Sequence, residues 1–426
     1  MYKLAHITDC HLGAWRNPKL RDLNLKAFEQ AIDKCIDESV NFIIITGDFF
    51  DINIPDLAPV KRSVEIMKKA KDNGIEIYLI YGSHDFSPNT VSMVDILHSA
   101  GLFTKPIQVE QVDGKLRLKF FQDKTTGAKI TGLSGRKGGL DRKYYEMLDL
   151  PYLESEDGFK IFLFHAPISE ATPMDLSHGD TVPLSFFPKG FDYYGGGHLH
   201  RRIEHTFSNY GTMIYPGPLF GSSFTDLENT ATGEKRGFYI ITFDKVIRKV
   251  EFREISVVDI IFHTINGDQV SAKKVDEKIA NLIEKTDVVN KIVLIKVKGT
   301  LSSGKRSDIN FSKYEEILSK KGSAVTFINR SGLSSVEVSR IRVLGETREE
   351  IESKIIKERI GSFKVDSTIK DEKTRLIIES TFTSDGAGQT TKNLLNTLKV
   401  EKMNNETISD HHDKVLKNMV SVLKFD

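Results

Sequence analysis

Phe42-Ile43-Ile44-Ile45-Thr46-Gly47-Asp48-Phe49-Phe50-Asp51 is the stretch from which the rest of the chain can be read. Phe42 to Thr46 has the apolar, β-branched composition of a strand buried on both faces of a parallel sheet. The run stops at Gly47, and Asp48 follows it. A carboxylate just past a buried strand stands at the edge where open α/β sheets place their ligands. One such aspartate carries little weight, because loops are rich in solvated aspartates. Four other stretches repeat the arrangement: Asp9-Cys10-His11, Gly82-Ser83-His84-Asp85, His165-Ala166-Pro167 and Gly197-His198-Leu199-His200 each follow a run of strand composition. Asp48 is therefore read as the centre of a metal cluster.

Upstream, Lys3–Thr8 reads as the first strand. Period-2 spacing is expected to put Asp9 and His11 on one side, facing one ion, with Cys10 turned away as buried filler. Phe28, Ala31, Ile32, Cys35 and Ile36 recur at helical spacing before the Asp48 strand. Downstream, a helix from about Pro59 to Lys71 and a strand over Ile75–Ile80 deliver Gly82-Ser83-His84-Asp85. This β-α-β-α-β beginning selects an α/β fold. From Ile107 the period shortens to alternating runs, with Asp113-Gly114 as a hairpin turn. A strand over Lys160–Phe164 ends at His165. Another over Phe191–Tyr194 is followed by Gly195, Gly196 and Gly197, which let the backbone approach a site closely, a plain flexible turn being the alternative. The architecture expected is a two-sheet sandwich flanked by helices over residues 1–256, a small α/β domain over 257–330, and a linker with a helical tail over 331–426.

At 426 residues the chain exceeds one compact core. With 39% hydrophobic and 28% charged residues it has ordinary soluble composition. No apolar run reaches membrane-spanning length and the chain opens directly on a strand, so no membrane partner and a cytoplasmic location are expected. Two cysteines give no disulfide framework, which fits a reducing compartment. The net charge of +1 confines any DNA-binding surface to local patches. The candidates are Arg16, Lys19 and Arg21, then Lys61-Arg62, Arg136-Lys137 and Arg201-Arg202. Tyr144-Tyr145 and Phe186-Phe187 read as packing rather than base stacking. Glu346–Arg359 reads as a charged helix, and Thr381–Gly388 as a flexible link. Beyond it, Leu394, Leu395 and Leu398 form one apolar stripe; Val415, Leu416, Met419, Val420 and Leu423 form another. Such stripes must be covered, either by this chain or by a partner.

Divalent ions that activate water at neutral pH need several nitrogen and oxygen ligands with positions left open. Five of the twelve histidines, with two aspartates, stand at strand ends. A lone histidine is ordinarily a packed or solvated residue, but chance explains five together poorly. The absence of thiolates other than Cys10 argues against a structural zinc site.

In chain order, Asp-x-His, Gly-Asp-x-x-Asp, Gly-x-His-Asp, His and Gly-His-x-His resembles the pattern of the calcineurin-like metallophosphoesterases. Within that superfamily the first 256 residues look like the nuclease subunit of DNA double-strand-break repair complexes that pair with an SMC-like ABC ATPase, of archaeal or bacterial type. His165-Ala166-Pro167, Tyr215-Pro216-Gly217-Pro218, the following small α/β domain and the amphipathic tail carry this likeness. The resemblance implies a nuclease that hydrolyses phosphodiesters at DNA ends with two Mn2+ per subunit, Mg2+ being the alternative. It further implies a homodimer, a nucleoid-associated location, a second domain that caps the site, and a tail that binds the ATPase. Asp9, His11, Asp48 and His200 would hold one ion. Asp48 would bridge to a second, held by His165 and His198. His84 would stabilise the transition state or protonate the leaving oxygen, and Asp51 or Asp85 would orient imidazoles, the alternative for each being an aspartate that stabilises its own turn. Where the family has a metal-binding asparagine this chain has Ser83, whose shorter side chain would reach the ion through water. A phosphodiesterase acting on a small nucleotide, and a scaffold with a decayed site, are the competing functions.

Overall fold

A computed structural model of the chain describes residues 1–87, 91–136, 140–176, 181–335, 381, 387–400, 403 and 408–423. Phe42–Thr46 forms a strand in which every residue is buried. It lies between Tyr2–Ile7 and Glu76–Ile80, paired in parallel with both. Gly237–Phe243 and Ile247–Glu254 extend this sheet antiparallel beyond Tyr2–Ile7, giving five strands. The helix Pro18–Asp37 starts where Pro18 removes a donor that would be orphaned anyway and the Asn17 side chain accepts from the Lys19 amide. Its stripe of Leu20, Ala27, Phe28, Ala31, Ile32 and Cys35 is buried in one cluster with Ile43 and Ile45 of the central strand.

The opposite face of that sheet packs on a second sheet. Its six strands run Ile203–Thr206, Thr212–Tyr215, Tyr193–Gly197, Lys160–His165, Lys129–Leu133 and Phe121–Gln122. Phe42, Ile44 and Ile80 meet Ile130, Ile161, Leu163 and Ile214 in one apolar layer. Each fully buried isoleucine there contributes roughly 1.5–3 kcal/mol. This is the sandwich expected from the alternation of periods. His6 joins the sheets as a satisfied core residue, with Nδ1 2.7 Å from the Tyr193 hydroxyl and Nε2 2.9 Å from Thr46 Oγ1. The glycine triplet serves the close approach and not the flexible turn: Gly195, Gly196 and Gly197 complete a strand. Crowding at the strand end is the reason, since a Cβ on Gly197 would lie 2.1 Å from the Thr46 carbonyl and 2.4 Å from Thr8 Oγ1. The sheets thus meet closely at the edge where the motif loops emerge.

Ile260–Asn266, Ile292–Leu301 and Val325–Asn329 build a third, parallel sheet, which Leu333–Ser335 joins. The helices Ala272–Lys285 and Phe311–Lys320 cover one face of it. From the other, Ile292, Leu294 and Val325 enter the cluster that contains Phe28 and Phe49. Phe327 packs against Trp15 and Phe224, at ring-centroid distances of 5.9 and 6.4 Å. Met1–Leu333 is one compact unit and Ser334–Asp426 another. Within the second, the helices Ala387–Leu398 and Ile408–Leu423 pack together. Leu394 is buried between them, whereas Leu395, Leu398, Leu416 and Val420 remain exposed. Val415, Met419 and Leu423 are half-buried. Gly388 is helical, which shortens the expected link; the rest of that link from 382 to 386, and the charged stretch 346–359, lie outside the described residues. Among the described residues no helix is long and apolar enough to cross a membrane.

Candidate metal centre

Each motif loop leaves the end of a strand in one of the two packed sheets. Asp9, His11, Asp48 and His198 all adopt positive φ, at 47°, 43°, 49° and 89°. For residues with a Cβ this conformation costs roughly 1–2 kcal/mol, and such strain concentrates at functional sites. Asp9 and His11 do meet, but through left-handed turns beyond the strand rather than through strand alternation, which corrects the expected reason. Backbone bonds hold the turns: Asp9 N to Gly47 O at 3.1 Å, His11 N to Asp48 O at 2.9 Å and Leu12 N to Phe49 O at 2.9 Å. Beneath them, Asn24 Nδ2 donates to the Cys10 carbonyl, and Cys10 itself is core, as expected.

Three sets of ligand-type atoms lie within 4.8 Å of one another: Asp9, His11 and His200; His11, Asp48 and His84; and Asp9, Asp48 and His165. The histidines show what the sets suit. His11 Nδ1 lies 3.2 Å from Asp51 Oδ1, His200 Nδ1 lies 3.1 Å from Asp226 Oδ2, and His165 Nδ1 lies 2.8 Å from the Thr46 carbonyl. Ionised carboxylates and carbonyls only accept, so each imidazole carries its proton on Nδ1 and presents a lone pair at Nε2. Those Nε2 atoms converge. His11 Nε2 and His200 Nε2 are 3.1 Å apart. His165 Nε2 is buried without a hydrogen-bond partner and lies 3.2 Å from Asp48 Oδ2. Facing lone pairs at this distance repel unless a cation lies between them. Two ligands about 2.1 Å from one ion at a right angle would stand about 3 Å apart, the spacing seen here. The residues therefore fit a divalent cation, and their outer partners are the acceptors that orient metal-binding imidazoles.

Asp48 is central. Its Oδ2 faces His165 Nε2 at 3.2 Å and His11 Nε2 at 3.8 Å, and its Oδ1 accepts from the His84 amide at 2.8 Å. Burial alone would raise the Asp48 carboxyl, but His165, His11 and that amide hold it well below the usual carboxylate range. Burial likewise opposes a charge on His165, yet adjacent Asp48, then Asp9 and the Thr46 carbonyl, raise it to about 10. The field that would keep a proton on His165 also favours a metal cation in its place.

Of the residues singled out in the sequence, Asp9, His11, Asp48, His84, His165 and His200 come together. His198 is exposed and stands beside His165, with ring centroids 5.3 Å apart, and belongs to none of the three sets. Ser83 is half-buried between Gly82 and His84. Asp51 faces His11 as expected. Asp85 is a correction: it orients backbone, not an imidazole, accepting from the amides of Phe49, Phe50 and Gly82. Asp226, behind His200, was missed. Its one signal is Ser223-x-x-Asp226, a helix capping box, which says nothing of a histidine.

The basic candidates are mostly engaged. Arg21 pairs with Asp56 and Lys61 with Glu65, Arg62 with Glu29 and Glu65, and Arg201 with Asp175. Arg202 lies over Phe252 and Arg136 over Tyr144, and Lys19 Nζ donates to the Ala324 carbonyl. Arg16 is exposed. Lys137 lies outside the described residues. Tyr145 packs on Phe187, at 4.7 Å between centroids, in line with the packing reading.

Residues 2–202 match the calcineurin-like phosphoesterase family. Three archaeal relatives are each named DNA double-strand break repair protein Mre11. The protein from Archaeoglobus fulgidus is 23% identical over 283 residues, which is 62% of this chain and 63% of that one. The protein from Methanopyrus kandleri is 26% identical over 273 residues, 61% of this chain and 59% of its own. The protein from Sulfurisphaera tokodaii is 29% identical over 298 residues, covering 68% and 70%. The chain thus spans less than two thirds of the length of the first two relatives. With four strand-end motifs converging on Asp48 and a family match that spans all of them, residues 2–202 are similar to the calcineurin-like phosphoesterases.

Proposed function

We propose that the protein is a two-metal-dependent DNA nuclease of double-strand-break repair that hydrolyses phosphodiesters at DNA ends. The observation that carries the reading is the set of inward-facing Nε2 atoms of His11, His165 and His200 around Asp48, each imidazole fixed from behind by an acceptor. The names of the archaeal relatives supply the substrate. Asp9, His11, Asp48 and His200 would hold one Mn2+; Asp48, His165, His198 and Ser83, through water, would hold a second, with Mg2+ as substitute. Two neighbouring ions would repel unless an anion lay between them, and Asp48, whose Oδ2 lies 3.2 Å from His165 Nε2 and 3.8 Å from His11 Nε2, would supply it. The chemistry such a pair supplies when bound is activation of water at neutral pH and neutralisation of charge developing on phosphate. His84 keeps its Nδ1 on the Asp51 carbonyl at 2.5 Å, which fixes the ring toward the reacting phosphate. There, with Nε2 also carrying a proton, it would donate to a phosphate oxygen or deliver that proton to the leaving one.

DNA approaches along Arg16, Lys19, Arg21, Arg136 and Lys137. The exposed pair Arg21–Asp56 is weak enough for phosphate to replace the carboxylate. The segment 257–330 caps the site, and the exposed Leu395, Leu398, Leu416 and Val420 dock on an SMC-like ABC ATPase. A homodimer is supported by exposed Ile52, Ile54, Leu57 and Val91, on segments joined by the bond from Met93 N to Asn53 O. The test compares metal-dependent degradation of labelled single- and double-stranded DNA with hydrolysis of bis-p-nitrophenyl phosphate. Preference for DNA, lost on chelation, is expected. Turnover of the small diester alone would replace the reading with a small-substrate phosphodiesterase.

A further inference from the structure

Behind His200 stands a carboxylate from outside the 2–202 match. Asp226 lies in the first turn of the helix Phe224–Ala231 and is only 3% exposed. Its Oδ2 accepts from the Ser222 amide at 2.9 Å, the Ser223 amide at 3.1 Å and Ser223 Oγ at 2.9 Å. Both oxygens also face His200 Nδ1, Oδ2 at 3.1 Å and Oδ1 at 3.2 Å. The main chains of the two residues are also joined. Arg236, 4% exposed, donates Nη1 to the His200 carbonyl at 2.8 Å, Nη2 to the Asp226 carbonyl at 2.9 Å and Nε to Thr230 Oγ1 at 2.8 Å. One guanidinium therefore fixes both backbones while the side chains meet, so the separation of carboxylate and imidazole is not free to vary.

We infer that Asp226 is the positioning residue of His200, fixing its orientation and tautomer so that Nε2 presents a lone pair to the metal centre, with Arg236 as the clamp. The inference rests on the two-ion reading above and extends it to a residue beyond the motif stretches. An ionised carboxylate can only accept, which places the imidazole proton on Nδ1. The three donors on Oδ2 settle what an amide at this position would do. In Asp226→Asn the side-chain oxygen stays on the Ser222 and Ser223 donors, and the NH2 turns to His200. A donor then faces Nδ1 where the carboxylate offered a second acceptor, which disfavours a proton on Nδ1 and favours one on Nε2, where the lone pair is required.

The test uses the full chain as wild type, Asp226→Asn and Ser223→Ala. Each is followed by thermal unfolding and by calorimetric titration with Mn2+ alone. The zinc-loaded wild type is also examined by 15N–1H imidazole correlation. Asp226→Asn is expected to melt close to wild type and to lose ten- to a hundredfold in affinity for one of the two ions, the range for outer-shell partners. Ser223→Ala, which removes a donor but keeps the carboxylate, is expected to keep both affinities. The zinc-loaded spectrum should place the His200 proton on Nδ1. Unchanged affinity in Asp226→Asn, or a proton on Nε2, overturns the inference. So does equal loss in both variants in step with a lowered melting temperature, which would make Asp226 a helix cap and nothing more. A wild type that takes up no divalent ion overturns the two-ion reading itself, and the inference falls with it.

Discussion

Gly82→Ala tests how tightly the strand ends hold Asp48. Gly82 has no positive φ, so alanine is compatible with its backbone. What opposes it is space. A Cβ there would lie 2.2 Å from Asp48 Oδ1, 2.3 Å from Asp48 N and 2.7 Å from Asp48 Cγ, whereas ordinary contact begins at 3.4 Å. Two of these atoms belong to a carboxylate that faces His165 and His11, and one to its backbone, so rotation of the Asp48 side chain cannot relieve the overlap. The two strand ends must separate by about 1 Å. Overpacking of this kind costs about 1–3 kcal/mol of stability. A 1 Å misplacement of a reacting group costs about a hundredfold in rate, equivalent to roughly 2.7 kcal/mol. The assay pairs thermal unfolding with Mn2+ titration and DNA cleavage on the same sample. Expected is a folded protein with sharply weakened metal uptake and about a hundredfold slower cleavage. Gly74→Ala is the control, because nothing lies within 4 Å of its Cβ and only its φ of 74° opposes the change. Wild-type metal affinity and cleavage in Gly82→Ala would refute the argument that Asp48 has no room to move.

His84→Ala should leave metal binding nearly intact and remove most cleavage; lost metal uptake would instead make His84 a ligand, as its place in a set with His11 and Asp48 allows. Ser83→Asn should lower the Mn2+ concentration needed for half-maximal cleavage, by on the order of 1–2 kcal/mol in affinity, and an unchanged requirement would mean Ser83 already serves through water. Burial lowers His6 from 6.5 to about 3. The unfolded chain therefore binds the extra proton first, and this contribution to stability is complete above pH 6.5 and lost as pH falls toward 3. It amounts to on the order of 4 kcal/mol; His6→Gln should flatten that part of the pH–stability curve, and an unaltered curve would exclude His6 as its source. Leu416→Glu with Val420→Glu should leave the melting of the Met1–Leu333 unit unchanged while abolishing co-purification with the ATPase, and retained binding would place the docking surface elsewhere.

The sandwich and the position of the site were legible because both rest on local signals. Phe42–Thr46 is apolar throughout, and the ligand-type residues directly follow their strands. Asp51, five residues past the end of that strand, could be found for the same reason. Asp226 could not. It reaches His200 through a helix whose sequence reports only its own capping box, and the contact is set by where Arg236 ties two backbones together. The left-handed turns at Asp9 and His11 were equally hidden, since their strain is balanced by bonds between loops distant in sequence. Gly195–Gly197 left two readings open because glycine serves turns and crowded strands alike, and only the neighbouring Thr46 carbonyl and Thr8 hydroxyl decide between them. Basic residues on loops looked available for phosphate until their partners, Asp56, Glu29 and Asp175, came from segments far along the chain. Asp85 looked like a partner for imidazole because it follows His84, yet folding turns its carboxylate to three backbone amides.

The central claim is that Asp48 bridges two divalent ions. Anomalous diffraction at the manganese edge from crystals of the full chain soaked in Mn2+ tests it most directly. Two peaks are expected flanking the Asp48 carboxylate, one toward His11 and His200 and the other toward His165. A single peak that does not touch Asp48, or no peak among these residues, would contradict the account.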